Sequence, residues 1–261
     1  MRDYNLEEKL QNAMDNDVNI WVIGDVHGYF NTFQILVEKL QLKDNDIVVM
    51  IGDLIDRGPT SADVVNYVKT TENFYSIRGN HEEMMIEGFD HSLFFKDRDI
   101  PAKIWYHNGG RTTELSYITL YGNGTNACEQ ASEDIEWMKT LPTEIVLENW
   151  RFVHAGYDQN HDVEEQDEDM HMYARKQFYT SKHAIDPKRT ILFGHTPTLK
   201  HLHKDDSKAG LVWFSDIILD DGRPMAIGLD TCLYHDFKLP KVLSAYNVLT
   251  NEIIYQNRII D

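Results

Sequence analysis

The chain has 261 residues, of which 42% are hydrophobic and 26% are charged, proportions typical of a globular protein with a full core. Its formal net charge of −18 opposes binding to a phosphate backbone, so nucleic acid is not expected as a partner. No apolar run reaches the roughly 18 residues of a membrane span, and the first residues contain no apolar signal segment. Cys128 and Cys232 fit neither a disulfide framework nor a CxxC zinc motif. We therefore expect a single domain over 1–261 that is cytoplasmic, monomeric and not bound to a membrane.

Three short apolar runs in the first 81 residues predict strands, and each run stops at small and polar residues. The runs lie at 20–23, 47–51 and 74–77, and they are followed by Gly24-Asp25, Gly52-Asp53 and Arg78-Gly79-Asn80-His81. Helices predicted between the runs make a strand–helix–strand–helix–strand pattern, which is typical of βαβ units on a helix-covered sheet. In such sheets the residues just past the strand ends meet in one crevice, so these polar groups are expected to lie together.

The helical spacing of apolar residues predicts the helices. One amphipathic helix is expected over 4–15, and two more are expected to be capped at their N-termini by Asn31 and Ser61. Residues 82–145 are predicted to be mostly helical, with a turn at 108–110.

The C-terminal half predicts a second set of strands, two of which are again followed by histidine. Strands are expected at 152–153, 190–193, 211–214, 225–227 and 242–243, and His154 and His195 follow the first two. The acidic run 161–169 is interpreted as a solvated loop, with an acidic loop that sets substrate specificity as the alternative.

The polar residues at the strand ends form a set with oxygen and nitrogen donors and no thiolate. They are Asp25, His27, Asp53, Asn80, His154 and His195. Such donors suit Mn²⁺, Fe²⁺, Zn²⁺ or Mg²⁺, and six of them suffice for two ions about 3.5–4 Å apart. Asp53, in the middle of the series, is the candidate bridging ligand. Each residue alone is more typical of a turn, a helix cap or a hydrogen-bonded histidine, so the repetition at successive strand ends is what favours a metal site.

Two arginines near these residues indicate a phosphate ester as the substrate. Arg57 and Arg78 each lie close in sequence to a candidate ligand, and a guanidinium binds phosphate oxygens through paired N–H donors. Either arginine alone would be interpreted as a surface ion-pair partner. Two divalent cations would attract a phosphoryl group even to a protein of this negative charge.

Hydrolysis of such an ester requires a nucleophile and an acid. A hydroxide shared by the two metals is expected to attack the phosphorus in line, and the leaving oxygen then needs a proton. His81 is the candidate acid, and Asp56 is the carboxylate that would favour its protonated form. Simple solvent exposure at a helix N-terminus is the alternative interpretation of His81.

Three of these segments resemble the phosphoesterase motifs of the metallophosphoesterase superfamily. The segments are Gly24-Asp25-Val26-His27-Gly28, Gly52-Asp53-Leu54-Ile55-Asp56-Arg57-Gly58 and Arg78-Gly79-Asn80-His81-Glu82. They are most similar to the serine/threonine protein phosphatase branch, and within it to the bacteriophage lambda type. Further segments follow the order of that family, namely Asn108-Gly109-Gly110, His154-Ala155 and Gly194-His195-Thr196-Pro197.

The resemblance implies an α/β fold of four layers, α-β-β-α, in which two mixed sheets pack face to face between flanking helices. It also implies a dinuclear site for two divalent ions, Mn²⁺ in the first place and Fe or Zn as alternatives. One ion would be held by Asp25, His27 and Asp53, and the other by Asp53, Asn80, His154 and His195. His81 and Asp56 would form the acid pair, and phosphate would be bound by Arg57, Arg78 and Arg175, with Arg189 as the second choice for the last position.

The chain departs from the family pattern near its C-terminus. The family commonly has Asp-Thr-Gly near its last strands, whereas here Asp230 and Thr231 are followed by Cys232. The segment 233–241 that comes next is more polar and longer than in the phage type. Because this region borders the substrate groove in the family, the departure bears on the choice of substrate and leaves the predicted metal ligands intact.

Two enzymatic functions are compatible with the motifs. The first is a metal-dependent phosphomonoesterase, a serine/threonine protein phosphatase acting on phosphorylated proteins or small phosphoesters. The alternative is a hydrolase of symmetrical dinucleoside tetraphosphates such as Ap4A. Asp56 favours the first, because the sister group has similar motifs that tend to lack this aspartate. A non-catalytic scaffold is a third interpretation, and it is disfavoured because every predicted ligand and His81 are present.

Overall fold

The strands of the protein form two mixed sheets. The computed structural model describes residues 1–89, 100–122, 124–203, 205–235 and 238–259. The strands are β1 (Ile20–Ile23), β2 (Ile47–Met50), β3 (Phe74–Ser76), β4 (Glu144–Val146), β5 (Trp150–Val153), β6 (Thr190–Phe193), β7 (Trp213–Phe214), β8 (Ala226–Gly228), β9 (Val242–Asn247) and β10 (Ile253–Asn257). Their order is β10-β9-β1-β2-β3 in the first sheet and β4-β5-β6-β8-β7 in the second.

Parallel pairing at the centre of each sheet determines where the polar residues lie. In the first sheet β1, β2 and β3 are parallel, with Val22 opposite Val49 and Val49 opposite Tyr75. In the second sheet β5, β6 and β8 are parallel. The outer strands β9, β10, β4 and β7 pair antiparallel to their neighbours. The carboxyl ends of the parallel strands therefore share one edge of each sheet, and the residues that follow them converge there.

Helices flank both sheets. They are α1 (Tyr4–Asp15), α2 (Phe30–Leu40), α3 (Ser61–Thr70), α4 (Asn80–Gly88), α5 (Ile100–His107), α6 (Gly110–Tyr121), α7 (Gly124–Thr140), α8 (Glu168–Tyr173), α9 (Lys176–Tyr179) and a π-helix at Thr198–His203. Helices α2 to α7 cover the first sheet, whereas α9 and the π-helix pack on the outer face of the second. Within the described residues, no helix has both the length and the apolar character needed to cross a membrane.

The residues of β1 alternate between two hydrophobic layers, as the two-residue period of a strand requires. Trp21 and Ile23 contact the layer between the first sheet and its helices, and Ile20 and Val22 contact the layer between the two sheets. Burial of each such side chain stabilises the fold by about 1.5–3 kcal/mol. These layers confirm the predicted α/β fold with two packed mixed sheets and flanking helices.

Most predicted elements agree with the structure to within a few residues, but two helix caps are wrong. Asn31 lies exposed inside α2, whose first backbone N–H, at Phe30, donates instead to the Thr60 hydroxyl at 3.1 Å. Ser61 is the first residue of α3, and its buried hydroxyl accepts the backbone N–H of Asp56 at 3.0 Å. In the first case a hydroxyl from a distant segment replaces the local cap, and in the second the serine hydroxyl is used by the loop that precedes the helix. Of the predicted helical stretch 82–145, residues 90–99 and 123 lie outside the described part.

The acidic run 161–169 is only partly the solvated loop that was predicted. Asp167 caps α8 by accepting the backbone N–H of Met170 at 3.0 Å, so the end of the run is helical. Glu164 pairs with the buried Arg151, and Glu168 pairs with Arg78. The run therefore supplies carboxylates to two arginines.

Candidate functional site

Several predicted site residues lie in sharp turns that follow the strands. His27, Asp53, Asp56, Arg57 and His195 have φ angles between 49° and 72°, the left-handed region that non-glycine residues rarely adopt. Each such residue costs on the order of 1–3 kcal/mol and persists only where the surrounding structure fixes it. Their concentration here marks the crevice at the strand ends as a functional site.

Two glycines of the motifs let the backbone approach the carboxylates closely. A Cβ atom at Gly79 would collide with the Asp53 carboxylate, and a Cβ atom at Gly194 would collide with that of Asp25. Any larger residue would displace a carboxylate, which explains why each of these positions is glycine.

Asp53 lies between two groups of imidazoles. Its Oδ2 is 3.6 Å from Nε2 of His27 and 3.9 Å from Nε2 of His81, and its Oδ1 is 3.2 Å from Nε2 of His154. The donor atoms of His27, Asp53 and His81 lie within 4.8 Å of one another, and so do those of Asp53, His154 and His195. All of these residues are buried. Because Asp53 belongs to both groups, its carboxylate is placed to be shared by two ions.

The remaining two predicted ligands adjoin the same cluster. Asn80 Oδ1 is 3.0 Å from His154 Nε2 and 2.7 Å from His195 Nδ1. Asp25 Oδ2 accepts the backbone N–H of His195 at 2.9 Å. Asp25 is not part of either three-residue group. In the first group, His81 occupies the place that the sequence analysis assigned to Asp25. The structure thus brings all six predicted ligands together, and their individual roles stay predictions.

Burial and mutual charge determine the electrostatics of the cluster. Burial by itself raises the pKa of Asp53, but His154 and His81 outweigh it and the pKa lies well below its usual range. For His154 burial lowers the pKa, and the charge and hydrogen bond of Asp53 overcome this and raise it to about 9. Burial and the neighbouring carboxylate of Asp230 raise the pKa of Asp25 well above its usual range. Ionised Asp25 is therefore disfavoured by burial and by its carboxylate neighbour, and a cation bound in the cluster would favour the ionised form.

Two buried atoms of the cluster test whether it fits a metal. Among the described residues, neither Asp25 Oδ1 nor His195 Nε2 has a hydrogen-bond partner. A buried polar atom without a partner costs about 1–3 kcal/mol, so its retention needs an explanation. The lone pairs of a carboxylate oxygen and an imidazole nitrogen are suitable ligands for a divalent ion, and these two atoms therefore fit such a site.

His81 and Asp56 form a buried pair at the edge of the cluster. The His81 ring nitrogen Nδ1 lies 2.7 Å from Asp56 Oδ2, and its Nε2 faces Asp53. The other oxygen of Asp56 accepts hydrogen bonds from Trp105 Nε1 at 3.1 Å and Thr113 Oγ1 at 2.6 Å. These two residues were not identified from the sequence, because they are 49 and 57 positions away and carry no motif. They fix the orientation of Asp56 and thereby that of the imidazole.

The guanidinium of Arg57 contacts both histidines of the group formed by His27, Asp53 and His81. Its Nη1 is 3.0 Å from His27 Nε2, and its Nη2 is 2.9 Å from His81 Nε2. Since a guanidinium only donates, both Nε2 atoms act as acceptors here. The Nδ1 atoms then donate, that of His27 to the carbonyl of Ile55 at 2.9 Å. Arg57 is therefore adjacent to both a candidate ligand and the candidate acid.

The other predicted arginines have different surroundings. Arg175 donates to the carbonyl of His195 at 3.3 Å, which places it beside the second group. Arg78 instead pairs with Glu83 at 3.3 Å and Glu168 at 3.0 Å. Its predicted role as a phosphate ligand would require it to leave these carboxylates.

The second choice for the last arginine position lies away from the cluster. Arg189 is bound to Asp186 and to the carbonyl of Leu147. Of the two candidates, Arg175 is therefore the one that adjoins the site.

Glu82 is a site residue whose role the sequence did not reveal. Its buried carboxylate accepts the backbone N–H groups of Asp53 at 2.9 Å, Leu54 at 2.8 Å and Gly79 at 2.9 Å. Burial and the nearby charge of Asp53 raise its pKa. Glu82 thus joins the loops after β2 and β3, and its place at the end of the third motif was the available signal.

Comparison with known proteins decides the family. Residues 18–226 match the family of calcineurin-like phosphoesterases. The chain belongs to that family. Members hold a dinuclear metal site, and the two His/Asp groups that share Asp53 are candidates for holding it in this phosphoesterase.

Relatives of this phosphoesterase carry two kinds of name. "Serine/threonine-protein phosphatase 2" of Salmonella typhimurium (strain LT2) is 29% identical over 189 residues, which are 68% of this chain and 79% of that protein. The protein of that name from Escherichia coli (strain K12) is 40% identical over 73 residues, which are 28% of this chain and 33% of that protein. "Bis(5'-nucleosyl)-tetraphosphatase, symmetrical" of Salmonella paratyphi C (strain RKS4594) is 29% identical over 150 residues, 55% of this chain and 45% of that protein.

A solved structure shows the same fold. The metallophosphoesterase from Sphaerobacter thermophilus superposes with a TM-score of 0.54 at 16% identity, and the match covers 92% of this chain and 87% of that one. The fold and family predicted from the motifs are thereby confirmed. The names of the relatives do not distinguish between a protein substrate and a dinucleotide substrate.

Proposed function

We propose that this phosphoesterase is a metal-dependent phosphomonoesterase that acts as a serine/threonine protein phosphatase. The observation that carries the proposal is the buried His81–Asp56 pair, in which the second ring nitrogen of His81, Nε2, faces the metal-ligand cluster. Serine and threonine alkoxides are strongly basic leaving groups, so cleavage of their phosphate esters needs a positioned acid. A nucleoside diphosphate is a much weaker base and leaves with far less help.

The side chains of the site have separable tasks in this reaction. Two divalent ions, Mn²⁺ in the first place and Fe or Zn as alternatives, would polarise the phosphoryl group and supply a nucleophile at neutral pH. Asp25, His27, Asp53, Asn80, His154 and His195 would hold them. Arg57 and Arg175 orient the phosphate through in-plane N–H donors, because each lies beside one group of ligands.

Proton transfer is assigned to His81. Its Nδ1 is held by Asp56, so Nε2, which faces the cluster, is the atom that would carry the transferred proton once Arg57 has left it for the phosphate. The carboxylate stabilises the imidazolium and keeps the ring in the donating orientation, as Trp105 and Thr113 hold the carboxylate. After transfer, the neutral ring is still hydrogen-bonded through Nδ1.

Hydrolysis of symmetrical dinucleoside tetraphosphates is the second candidate function. It is favoured by the similarity to proteins named symmetrical bis(5'-nucleosyl)-tetraphosphatases, which extends over about half of this chain. The metal cluster would serve either reaction.

A competition assay tests the proposal. Mn²⁺-loaded enzyme receives a phosphoserine peptide and diadenosine tetraphosphate at equal concentration, and all products are resolved by chromatography after a chelator quench. Faster release of inorganic phosphate from the peptide is expected, and faster appearance of ADP would assign the enzyme to the dinucleotide group instead. The Asp53→Asn variant serves as the inactive control for both products.

A further inference from the structure

The segment that departs from the family pattern places an aromatic ring against Arg57. After β8 the chain turns at Asp230–Cys232, and the ring of Tyr234 lies beneath the guanidinium with its centroid 3.7 Å from Arg57 Cζ. The same ring contacts the imidazole of His27 edge-on, with 4.5 Å between centroids. Tyr234 therefore forms one wall of the site.

The turn that carries Tyr234 is well fixed. Cys232 adopts a left-handed backbone with φ of 71°, and its N–H donates to Asp230 Oδ1 at 3.1 Å. Thr231 donates from its hydroxyl to the carbonyl of Val242 at 2.7 Å, which ties the turn to β9. The ring is consequently presented from a rigid support.

Arg57 depends on such a support. Among the described residues no carboxylate lies within ion-pair distance of its guanidinium, although its charge acts on the nearby Asp230. Its polar contacts run to His27 and His81, whose Nε2 atoms are needed for metal binding and for acid catalysis. Stacking holds a guanidinium through its face, so the ring itself occupies none of the in-plane N–H donors, including the Nη1 and Nη2 donors that contact His27 and His81 here.

We propose that Tyr234 is a positioning residue for Arg57, holding the guanidinium so that its in-plane donors bind the phosphate of the substrate. The inference rests on the proposed function to the extent that Arg57 binds phosphate. It assigns a role to a residue of the departing segment, and it predicts an effect on phosphate affinity rather than on metal affinity.

Calorimetric titration of inorganic phosphate into the Mn²⁺-loaded protein tests this without using turnover. Tyr234→Leu removes the ring and is expected to weaken phosphate binding about three- to thirty-fold, the range of a cation–π contact. Tyr234→Phe keeps the ring and is expected to stay within about threefold of the wild type. In the Arg57→Ala background, Tyr234→Leu should have no further effect, because its partner is gone. Tyr121→Leu removes another partly buried tyrosine, on α6, and serves as the matched control.

Mn²⁺ titration of the metal-free variants separates the competing explanations. Unchanged Mn²⁺ affinity in Tyr234→Leu together with weaker phosphate binding and a raised KM for a phosphoserine peptide supports the inference. A parallel loss of Mn²⁺ affinity would overturn it, because the ring would then act through His27. If Arg57→Ala weakens phosphate binding and Tyr234→Leu does not, the inference fails while the proposed role of Arg57 stands. If neither variant weakens phosphate binding, the inference about Tyr234 and the proposed role of Arg57 both fail.

Discussion

At the scale of single residues, the site separates metal binding from proton transfer. Asp53 is shared by two groups of potential ligands, whereas Asp56, three positions later, is directed to His81 and to the helices through Trp105 and Thr113. Both aspartates have left-handed backbone conformations, and their carboxylates face different partners. Substitution of each should therefore produce a different defect.

Asp56→Asn is expected to slow the reaction in proportion to the basicity of the leaving group. Loss of the carboxylate removes support for the His81 imidazolium, and general acid catalysis contributes about 10²–10⁴-fold. We expect a loss of about 100-fold in kcat on a phosphoserine peptide and less than about tenfold on p-nitrophenyl phosphate, whose leaving group needs little protonation. Asp63→Asn, on α3, is the control, and equal losses on both substrates would contradict the acid pair.

Asp53→Asn is expected to abolish activity while the protein stays folded. In the wild type the backbone N–H of His81 donates to Asp53 Oδ1 at 3.1 Å, and the oxygen of the asparagine amide can still accept this bond. The neutral amide cannot serve as a bridging anion. Metal analysis after Mn²⁺ loading should show less than the wild-type content, with a far-ultraviolet circular dichroism spectrum like that of the wild type. Loss of the cooperative thermal transition would mean that the residue is structural.

At the scale of elements, the strand ends could be predicted and their mutual supports could not. Each motif directly follows an apolar run, so Asp25, Asp53 and Asn80 were placed correctly from local pattern and parallel topology. The contacts of Glu82 with two loops could not be deduced from spacing alone, since they depend on how β2 and β3 pair. The failed cap at Asn31 has the same origin, because the hydroxyl of the distant Thr60 replaces the local side chain, whereas the Ser61 hydroxyl accepts the N–H of the nearby Asp56.

A buried arginine joins the elements of the second sheet. Arg151 on β5 is fully buried and pairs with Glu144 on β4 at 3.0 Å, with Asp186 at 2.6 Å and with Glu164. Removal of one partner leaves a buried charge less compensated, and such losses are severe. This network links the acidic run to the sheet that carries His154.

Asp186→Asn is expected to lower the free energy of unfolding at pH 7 by about 1.5–3 kcal/mol, the range for hydrogen bonds to charged groups. Burial by itself raises the pKa of Asp186, but the hydrogen bond and charge of Arg151 outweigh it and the pKa is lowered from 3.8. A lowered pKa stabilises the fold above the unfolded-state value, and this stabilisation is lost as the pH falls through the folded-state value. Urea unfolding should therefore show a weaker acid dependence below pH 4 in the variant. Glu136→Gln, which breaks an exposed pair with Lys139, should leave the curve unchanged.

At the scale of the whole molecule, two sheets deliver ligands to one cluster. His27, Asp53 and Asn80 follow strands of the first sheet, and His154 and His195 follow strands of the second, so these residues would hold ions between the two packed sheets. The α/β class and this convergence followed from the order of strands and motifs. The packing of the two sheets on each other followed only from the family resemblance. The alternation of residues along a strand does not determine which face of a sheet packs on the other sheet and which packs on helices.

Metal binding is therefore expected to stabilise the entire fold. An ion that binds only the folded state, present at a concentration 100 times its dissociation constant, adds about 2.7 kcal/mol to the free energy of unfolding. For a chain of this size that corresponds to a rise of roughly 5–10 °C in Tm. Differential scanning calorimetry at fixed ionic strength should show this rise when Mn²⁺ replaces the chelator. Fixed ionic strength is needed because a net charge of −18 also responds to general screening. The rise should be largely absent in Asp53→Asn, which lacks the carboxylate common to both ligand groups. An equal rise in that variant would show that Mn²⁺ acts on the acidic surface rather than at the cluster between the sheets.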